Sequence, residues 1–134
     1  LVTKLMAAIR SSVSCAATPS QSLILKGYAS GKIDEEKKAL RNILEKRYAL
    51  VKAFVTTHTS SVIAPLPFNS GYFMSFETKI DAETLRQELL HKKGIGVVAI
   101  DAKTLRVAFS SLDEDKINTV YQAIYDTADE LGGR

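Results

Sequence analysis

Disulfides, membrane spans and a strong charge of either sign are all missing from this 134-residue sequence, and each absence narrows what it can be. Its one cysteine, Cys15, has no second to pair with inside the chain, which suits a reducing compartment and sets the expected localisation as cytoplasmic. No apolar run approaches the ~18 residues that a membrane-spanning helix needs. The opening eight residues carry Lys4 and helical amphipathicity rather than a continuous apolar core, which argues against a signal peptide. The formal charge is only +3, and the densest charged stretch, residues 32–52, mixes Asp34, Glu35, Glu36 and Glu45 among its cations. Such a mixture reads as a solvated helix face, so neither a nucleic-acid partner nor a membrane is expected. Internal repeats and low-complexity segments are also missing. What is there, 46% hydrophobic and 25% charged residues, is the composition of one globular domain long enough to bury a core of its own.

Apolar spacing predicts a helix from residue 1 to about 13, with Leu1, Leu5, Ala8 and Ile9 on one side. Thr18-Pro19-Ser20-Gln21 reads as a helix start, Thr18 capping and Gln21 closing a capping box, and that helix ends near Gly27 to Gly31. A long helix begins at Asp34, with Glu35 and Glu36 in its dipole-favoured first turn. Its expected buried stripe is Leu40, Ile43, Leu44, Val51, Phe54 and Val55. From Ser61 the character changes: Pro65 and Pro67 predict an irregular crossing, Asn69-Ser70-Gly71 a turn, and residues 71–77 a strand. Asp81 caps a helix to about Lys93, with Leu85, Leu89 and Leu90 inward and Gly94 ending it. Strands over 96–100 and 104–110 flank a short connection at Asp101-Ala102-Lys103. Ser111-Leu112-Asp113-Glu114 has capping-box spacing and opens a last helix, whose stripe is Ile117, Val120, Tyr121, Ile124, Ala128 and Leu131. The fold class expected is α+β in two layers: N-terminal helices over 1–58, then a β-α-β-β-α unit over 59–134 whose small sheet is covered by helices.

Self-sufficient catalysis finds no support in these residues. Cys15 has neither histidine near it in sequence and reads as a buried, inert thiol. His58 falls at a helix end, where it can cap, and His91 shares a last helical turn with Lys92 and Lys93, where the dipole favours cations. The two histidines lack acidic or cysteine partners at ligand spacing, so no metal site is expected. Gly27-Tyr28-Ala29-Ser30-Gly31-Lys32 has the outline of a phosphate loop, but is short by a residue and puts Ile33 where the magnesium-binding hydroxyl belongs. Gly94-Ile95-Gly96 follows a helix and precedes a strand, the reverse of the dinucleotide-binding arrangement.

What remains is an arginine inside a strand. In Thr104-Leu105-Arg106-Val107-Ala108-Phe109-Ser110 alternate side chains face opposite ways, so Leu105, Val107 and Phe109 form a core surface. The other face sets Arg106 among Thr104, Ala108 and Ser110. A permanent, planar, five-donor cation among small side chains suits bidentate capture of a carboxylate. An edge-strand arginine lying over the sheet toward solvent fits the same pattern, and strand geometry alone leaves both readings open.

The order of these segments resembles the C-terminal, small domain of a class I/II aminotransferase, a fold-type I pyridoxal-phosphate-dependent enzyme. The resemblance rests on the long helix, the proline-containing crossing, Asn69-Ser70-Gly71-Tyr72-Phe73 opening a strand, the capped helix ending at Gly94, then Leu105 to Ser110 and a final helix. It covers essentially the whole chain, and Ala7 to Ser14 through Pro19-Ser20-Gln21 is similar to the stretch after that family's cofactor-lysine region. It implies that Arg106 binds the substrate α-carboxylate and that Gly71 stands near the substrate, where a side chain would crowd the site. It implies too that Arg10 reaches the neighbouring subunit's site to hold a distal carboxylate, an exposed helical arginine being the other reading. The cofactor implied is pyridoxal 5'-phosphate, the substrates an amino acid and a 2-oxo acid, and the intact enzyme a homodimer. The Schiff-base lysine, the aspartate partnering the pyridine nitrogen and the phosphate-binding residues would lie upstream, in a large N-terminal domain. None of this chain's lysines sits in the family's lysine motif, and the sequence opens at Leu1 without an initiator. The expectation is therefore a piece of a longer enzyme, without catalytic, cofactor-binding or metal residues of its own, inactive alone, and exposing apolar surface on its first helices. One departure bears on the pocket: only residues 99–104 separate Val97-Val98 from Leu105, where most members carry a longer loop with Pro-Gly and an aromatic residue. Alternatives are a carbon–sulfur lyase or acyl-CoA-dependent synthase of the same fold, or a non-catalytic, small-molecule-binding regulatory module.

Overall fold

The computed structural model describes residues 1–12, 17–69 and 71–133. Two compact units divide the chain, Leu1–Leu40 and Arg41–Arg134. The first holds helices α1 (Val2–Ser12) and α2 (Thr18–Ala29) and the start of α3 (Ile33–Thr57), whose remainder belongs to the second.

Local chemistry accounts for the helix ends in the first unit. Within α1 the Ser12 hydroxyl donates back to the Ala8 carbonyl at 2.8 Å. α2 starts one residue earlier than its expected cap: Ala17 is the N-cap, without a side-chain bond, and Thr18 is already helical. Pro19 sits in the first turn with its backbone angle preset, so the helix starts without a hydroxyl cap. Ser30 closes α2 through a 2.7 Å bond to the Gly27 carbonyl, followed by Gly31 at φ 70°. Asp34, Glu35 and Glu36 occupy the first turn of α3, as their charge demands.

No residue of α1 or α2 is buried, and Leu5, Ile9, Leu23, Ile24 and Leu25 remain 54–70% exposed. The expected stripe of α3 is likewise shorter than its periodicity. Leu40 and Ile43 stay exposed, Leu44 and Val55 are half-buried, and only Val51 and Phe54 are buried. Those two lie where α3 meets the core of the second unit.

That core is built on an antiparallel sheet of β1 (Ile63–Pro65), β2 (Met74–Thr78), β3 (Val98–Asp101) and β4 (Thr104–Val107), in the order β1-β2-β4-β3. β1 replaces the expected irregular crossing. It is an edge strand of three residues, and its proline pairs with Phe76 at the strand's last position, where a missing N–H is tolerated. Helix α4 (Ala82–Lys93) is held as its sequence predicts: Asp81 Oδ2 accepts from the Thr84 amide at 2.8 Å, and Gly94 ends it in the left-handed region at φ 66°. Leu85 and Leu89 point inward, whereas Leu90 falls off that face and is 41% exposed. After β4 the chain makes a 3-10 turn, Phe109–Ser111, then a second turn in which the Lys116 amide bonds the Asp113 carbonyl at 3.0 Å. Helix α5 (Ile117–Gly132) therefore starts later than the Ser111 capping box predicts, with Lys116 as N-cap and no side-chain cap bond.

One sheet face, with Met74, Phe76, Leu105 and Val107, is buried against Val51, Leu85, Leu89, Ile117, Tyr121 and Ile124 in a single cluster. Phe109 joins it from the 3-10 turn, as the alternation from Leu105 predicts. Ser75, Glu77, Val98 and Arg106 lie outside that cluster, half-buried or exposed.

Candidate functional site

Strand alternation sends Leu105 and Val107 into the core and turns Arg106 away from it. The sheet order makes β4 an inner strand, with Arg106 in register with Ser75 on one side and Val98 on the other. The edge-strand reading of Arg106 is thereby overturned. Its backbone is flanked by two strands, and the side chains in register beside it are short.

The guanidinium lies over Phe73, its Cζ 4.8 Å from the ring centroid, a distance at which the ring's negative face attracts a cation. Among the described residues its buried Nε finds no hydrogen-bond partner, and no ion pair engages the side chain. A half-buried cation with an unanswered donor is a costly arrangement unless an acceptor arrives from elsewhere.

Phe73 is presented by the segment that Gly71 opens. Gly71 has φ 98°, a conformation that a side chain would strain. A Cβ there would meet nothing within 4 Å, so the crowding expected at Gly71 does not come from this chain's own atoms. The Tyr72 carbonyl accepts from the Ser110 amide at 3.2 Å, fastening the approach to β2 against the turn that follows β4. Arg10 belongs to the first unit, exposed in the last turn of α1, so the two arginines lie in different units.

One residue of this neighbourhood escapes the sequence reading. Arg47 extends from α3 with its side chain 19% exposed, Nη1 donating to the Ser110 carbonyl and Nη2 lying 4.0 Å from Asp113 Oδ1. Its spacing to Val51 and Phe54, i, i+4 and i+7, puts a cation on the apolar side of the helix, and that was the available signal.

Of the remaining candidates, His58 has a structural role. His58 stacks on Phe54 with ring centroids 3.8 Å apart, and its Nδ1 lies 2.9 Å from the Phe54 carbonyl, a capping position at the end of α3. His91 is exposed, Gly27 is helical rather than in a phosphate loop, and Cys15 lies outside the described residues. No group of three or more metal-ligating side chains exists among the described residues. An open groove of about 760 Å³, lined by Thr57, His58, Asn118, Gln122 and Asp126 among others, does not include Arg106.

Every lysine in the chain is exposed. A Schiff-base lysine is activated by desolvation in an enclosed site, and none of these is enclosed, so these residues do not fit a covalently held pyridoxal phosphate, and no step through it follows from them.

A four-stranded antiparallel sheet with helices packed on one face and a long helix leading into it defines an α+β unit that recurs in solved aminotransferases. The chain superposes on a multiple substrate aminotransferase from Thermococcus profundus with a TM-score of 0.81 at 18% identity, covering 95% of this chain and 34% of that one. On a kynurenine aminotransferase from Pyrococcus horikoshii, solved with PMP, the TM-score is 0.79 at 18% identity, over 97% of this chain and 34% of that one. For an alpha-aminoadipate aminotransferase from Thermus thermophilus, complexed with N-(5'-phosphopyridoxyl)-L-leucine, the values are 0.78 and 15%, over 98% and 36%. The fold expected from the sequence is thus the fold observed, and the chain spans about a third of the length of each of these enzymes. No family model matches the sequence, and comparison with curated proteins finds no match. Among the described residues no helix is long and apolar enough to cross a membrane.

Proposed function

We propose that this chain is the C-terminal, small domain of a pyridoxal-phosphate-dependent aminotransferase, in which Arg106 receives the substrate's α-carboxylate. The observation that carries this reading is the Arg106 guanidinium itself. It is half-buried on an inner strand, backed by Phe73, and keeps a buried Nε without an acceptor among the described residues. A carboxylate supplies two oxygens in the plane of that fork, and partial burial strengthens the charge-assisted bonds. The phenyl face limits where the guanidinium can lie, so the carboxylate it binds is oriented as well as held.

The fold's likeness to aminotransferases, two of them solved with PMP or a phosphopyridoxyl ligand, supports the cofactor class. The exposed lysines and the span of about a third of those enzymes support a cofactor held by residues outside this chain, where it serves as electron sink for the reacting amino acid. Exposed Leu5, Ile9, Leu23 and Leu25 suit a face that a large domain covers. The exposure of Arg10 suits a reach to a distal carboxylate in the partner subunit's site.

The test is made on the intact polypeptide loaded with pyridoxal phosphate, using a panel of L-amino acids with 2-oxoglutarate as acceptor. Arg106→Gln is expected to lower kcat/KM for every amino acid turned over by roughly 30- to 4000-fold, the loss typical of removing one partner of a buried charge pair. The cofactor's absorbance should be unchanged. Undiminished activity of the variant, or no transamination by the unsubstituted protein, would overturn the reading.

A further inference from the structure

Helix α3 carries a charge where its periodicity calls for an apolar residue. Arg47 shares a face with Val51 and Phe54, which are 0% and 6% exposed, and its own side chain is mostly covered. Desolvating a guanidinium there costs free energy that a leucine would not. The carboxylate of Asp113 offsets little of it, being 83% exposed and 4.0 Å away. The contact that remains is the hydrogen bond from Nη1 to the Ser110 carbonyl.

Ser110 is held from two sides. Its carbonyl accepts from Arg47, and its amide donates to the Tyr72 carbonyl at 3.2 Å. Tyr72 precedes Phe73, the ring on which the Arg106 guanidinium rests. Arg106 lies on β4, just ahead of the 3-10 turn Phe109–Ser111 that contains Ser110. Both sides of the Arg106–Phe73 contact are therefore tied to the one residue that Arg47 grips.

We propose that Arg47 is a positioning residue for Arg106: by fixing Ser110 it sets the spacing between the end of β4 and the approach to β2, and so the seat of the Arg106 guanidinium on Phe73. The functional meaning of that seat rests on the carboxylate reading of Arg106. A clamp must be held within a few tenths of an ångström to bind both oxygens of a carboxylate, which its own flexible side chain cannot ensure.

Coupling between two side chains through a third residue is established by measurement, not by adjacency. The Nε–H resonances of the 15N-labelled 134-residue chain give the first readout. Arg106 Nε–H is expected to be shifted by the Phe73 ring, and Phe73→Leu marks the position it takes without that ring. Arg47→Met keeps the stem and removes the donors; it should move the Arg106 signal toward the Phe73→Leu position, while Arg47→Lys, which keeps one donor for Ser110, stays near the unsubstituted chain. If the methionine variant loses its amide dispersion, Arg47→Gln takes its place in the comparison. An Arg106 signal that stays put while the Ser110 and Tyr72 amides shift overturns the proposal.

The second readout is a double-substitution cycle in the intact enzyme. Arg47→Met is expected to lower kcat/KM roughly tenfold, and to lower it no further when Arg106→Gln is already present. Fully additive losses overturn the positioning role. Full activity in Arg106→Gln overturns the carboxylate reading instead, and the Nε–H comparison still decides whether Arg47 seats Arg106.

Discussion

Gly132, in the last turn of α5, faces Val62 at a separation that admits no side chain. A Cβ at Gly132 would overlap Val62 Cγ2 and lie 3.0 Å from Cγ1. Val62 precedes the edge strand β1, and the same junction is fastened by the Ser60 hydroxyl, which donates to Asp129 of α5 and accepts from the Val62 amide. The C-terminal helix is thus locked to the sheet's outer edge.

A helical Gly→Ala replacement ordinarily stabilises by about 1 kcal/mol. Here the sign should reverse. Gly132→Ala is expected to cost about 1–3 kcal/mol, the range for overpacking, and Val62→Ala in the same chain should recover much of the loss. Urea unfolding of the three chains measures it, and a stabilised Gly132→Ala would contradict the contact.

Tyr121 and Tyr125 are buried on α5, and neither hydroxyl has a hydrogen-bond partner among the described residues. A buried hydroxyl without a partner costs about 1–3 kcal/mol. Tyr121→Phe is therefore expected to be neutral or stabilising. A loss above about 1 kcal/mol would show that the hydroxyl has an acceptor or a bound water after all.

Both phenols also make stability fall at alkaline pH. Burial, then the charge of Tyr125, raises the Tyr121 pKa, and burial, then Asp129, raises that of Tyr125. A pKa raised by folding means that the neutral form is favoured in the native state. The contribution is whole below the ordinary value of 10.0 and is lost as pH rises above it. Unfolding free energy measured across that range should drop more steeply than in the double phenylalanine variant.

Glu83, in the first turn of α4, has its pKa lowered from 4.5 to about 2, first by its bonds from Arg86 and then by Gln87. Its contribution is present above pH 4.5 and fades as pH falls toward 2. The group is exposed, so the stability effect is small and best read at the site. A 13C carboxyl titration should place its midpoint well below that of an ordinary glutamate, and Arg86→Ala should raise it.

The parts of the fold legible in the sequence are those decided within a few residues. Asp81 and Gly94 bracket α4 because a cap acts on the next turn, and Leu105 and Val107 reach the core because pleating alternates side chains. Periodicity says which side of α3 is apolar, but not how far a partner extends along it, so Leu40 and Ile43 look like core and are not. β1 is too short to show alternation, and Pro65 argues against a strand until its edge position is known. Whether Arg106 sits at an edge or inside depends on strand order, which pairs residues far apart in sequence. Arg47 was hidden for the same reason, since its acceptor is a backbone carbonyl 63 residues away.

The strand bearing Arg106 comes last in the chain yet sits inside the sheet. During synthesis β1 and β2 emerge first and can pair, while Phe73 waits without its cation. β3 and β4 close on each other across a tight turn, a fast local event on the order of microseconds. β2 meets β4 only after α4 has been spanned, a slower, long-range closure. A ribosome that stopped ahead of Thr104 would release β3 with no neighbour and a ring with nothing resting on it. The Arg106–Phe73 contact and the closure of the sheet are completed by the same arrival.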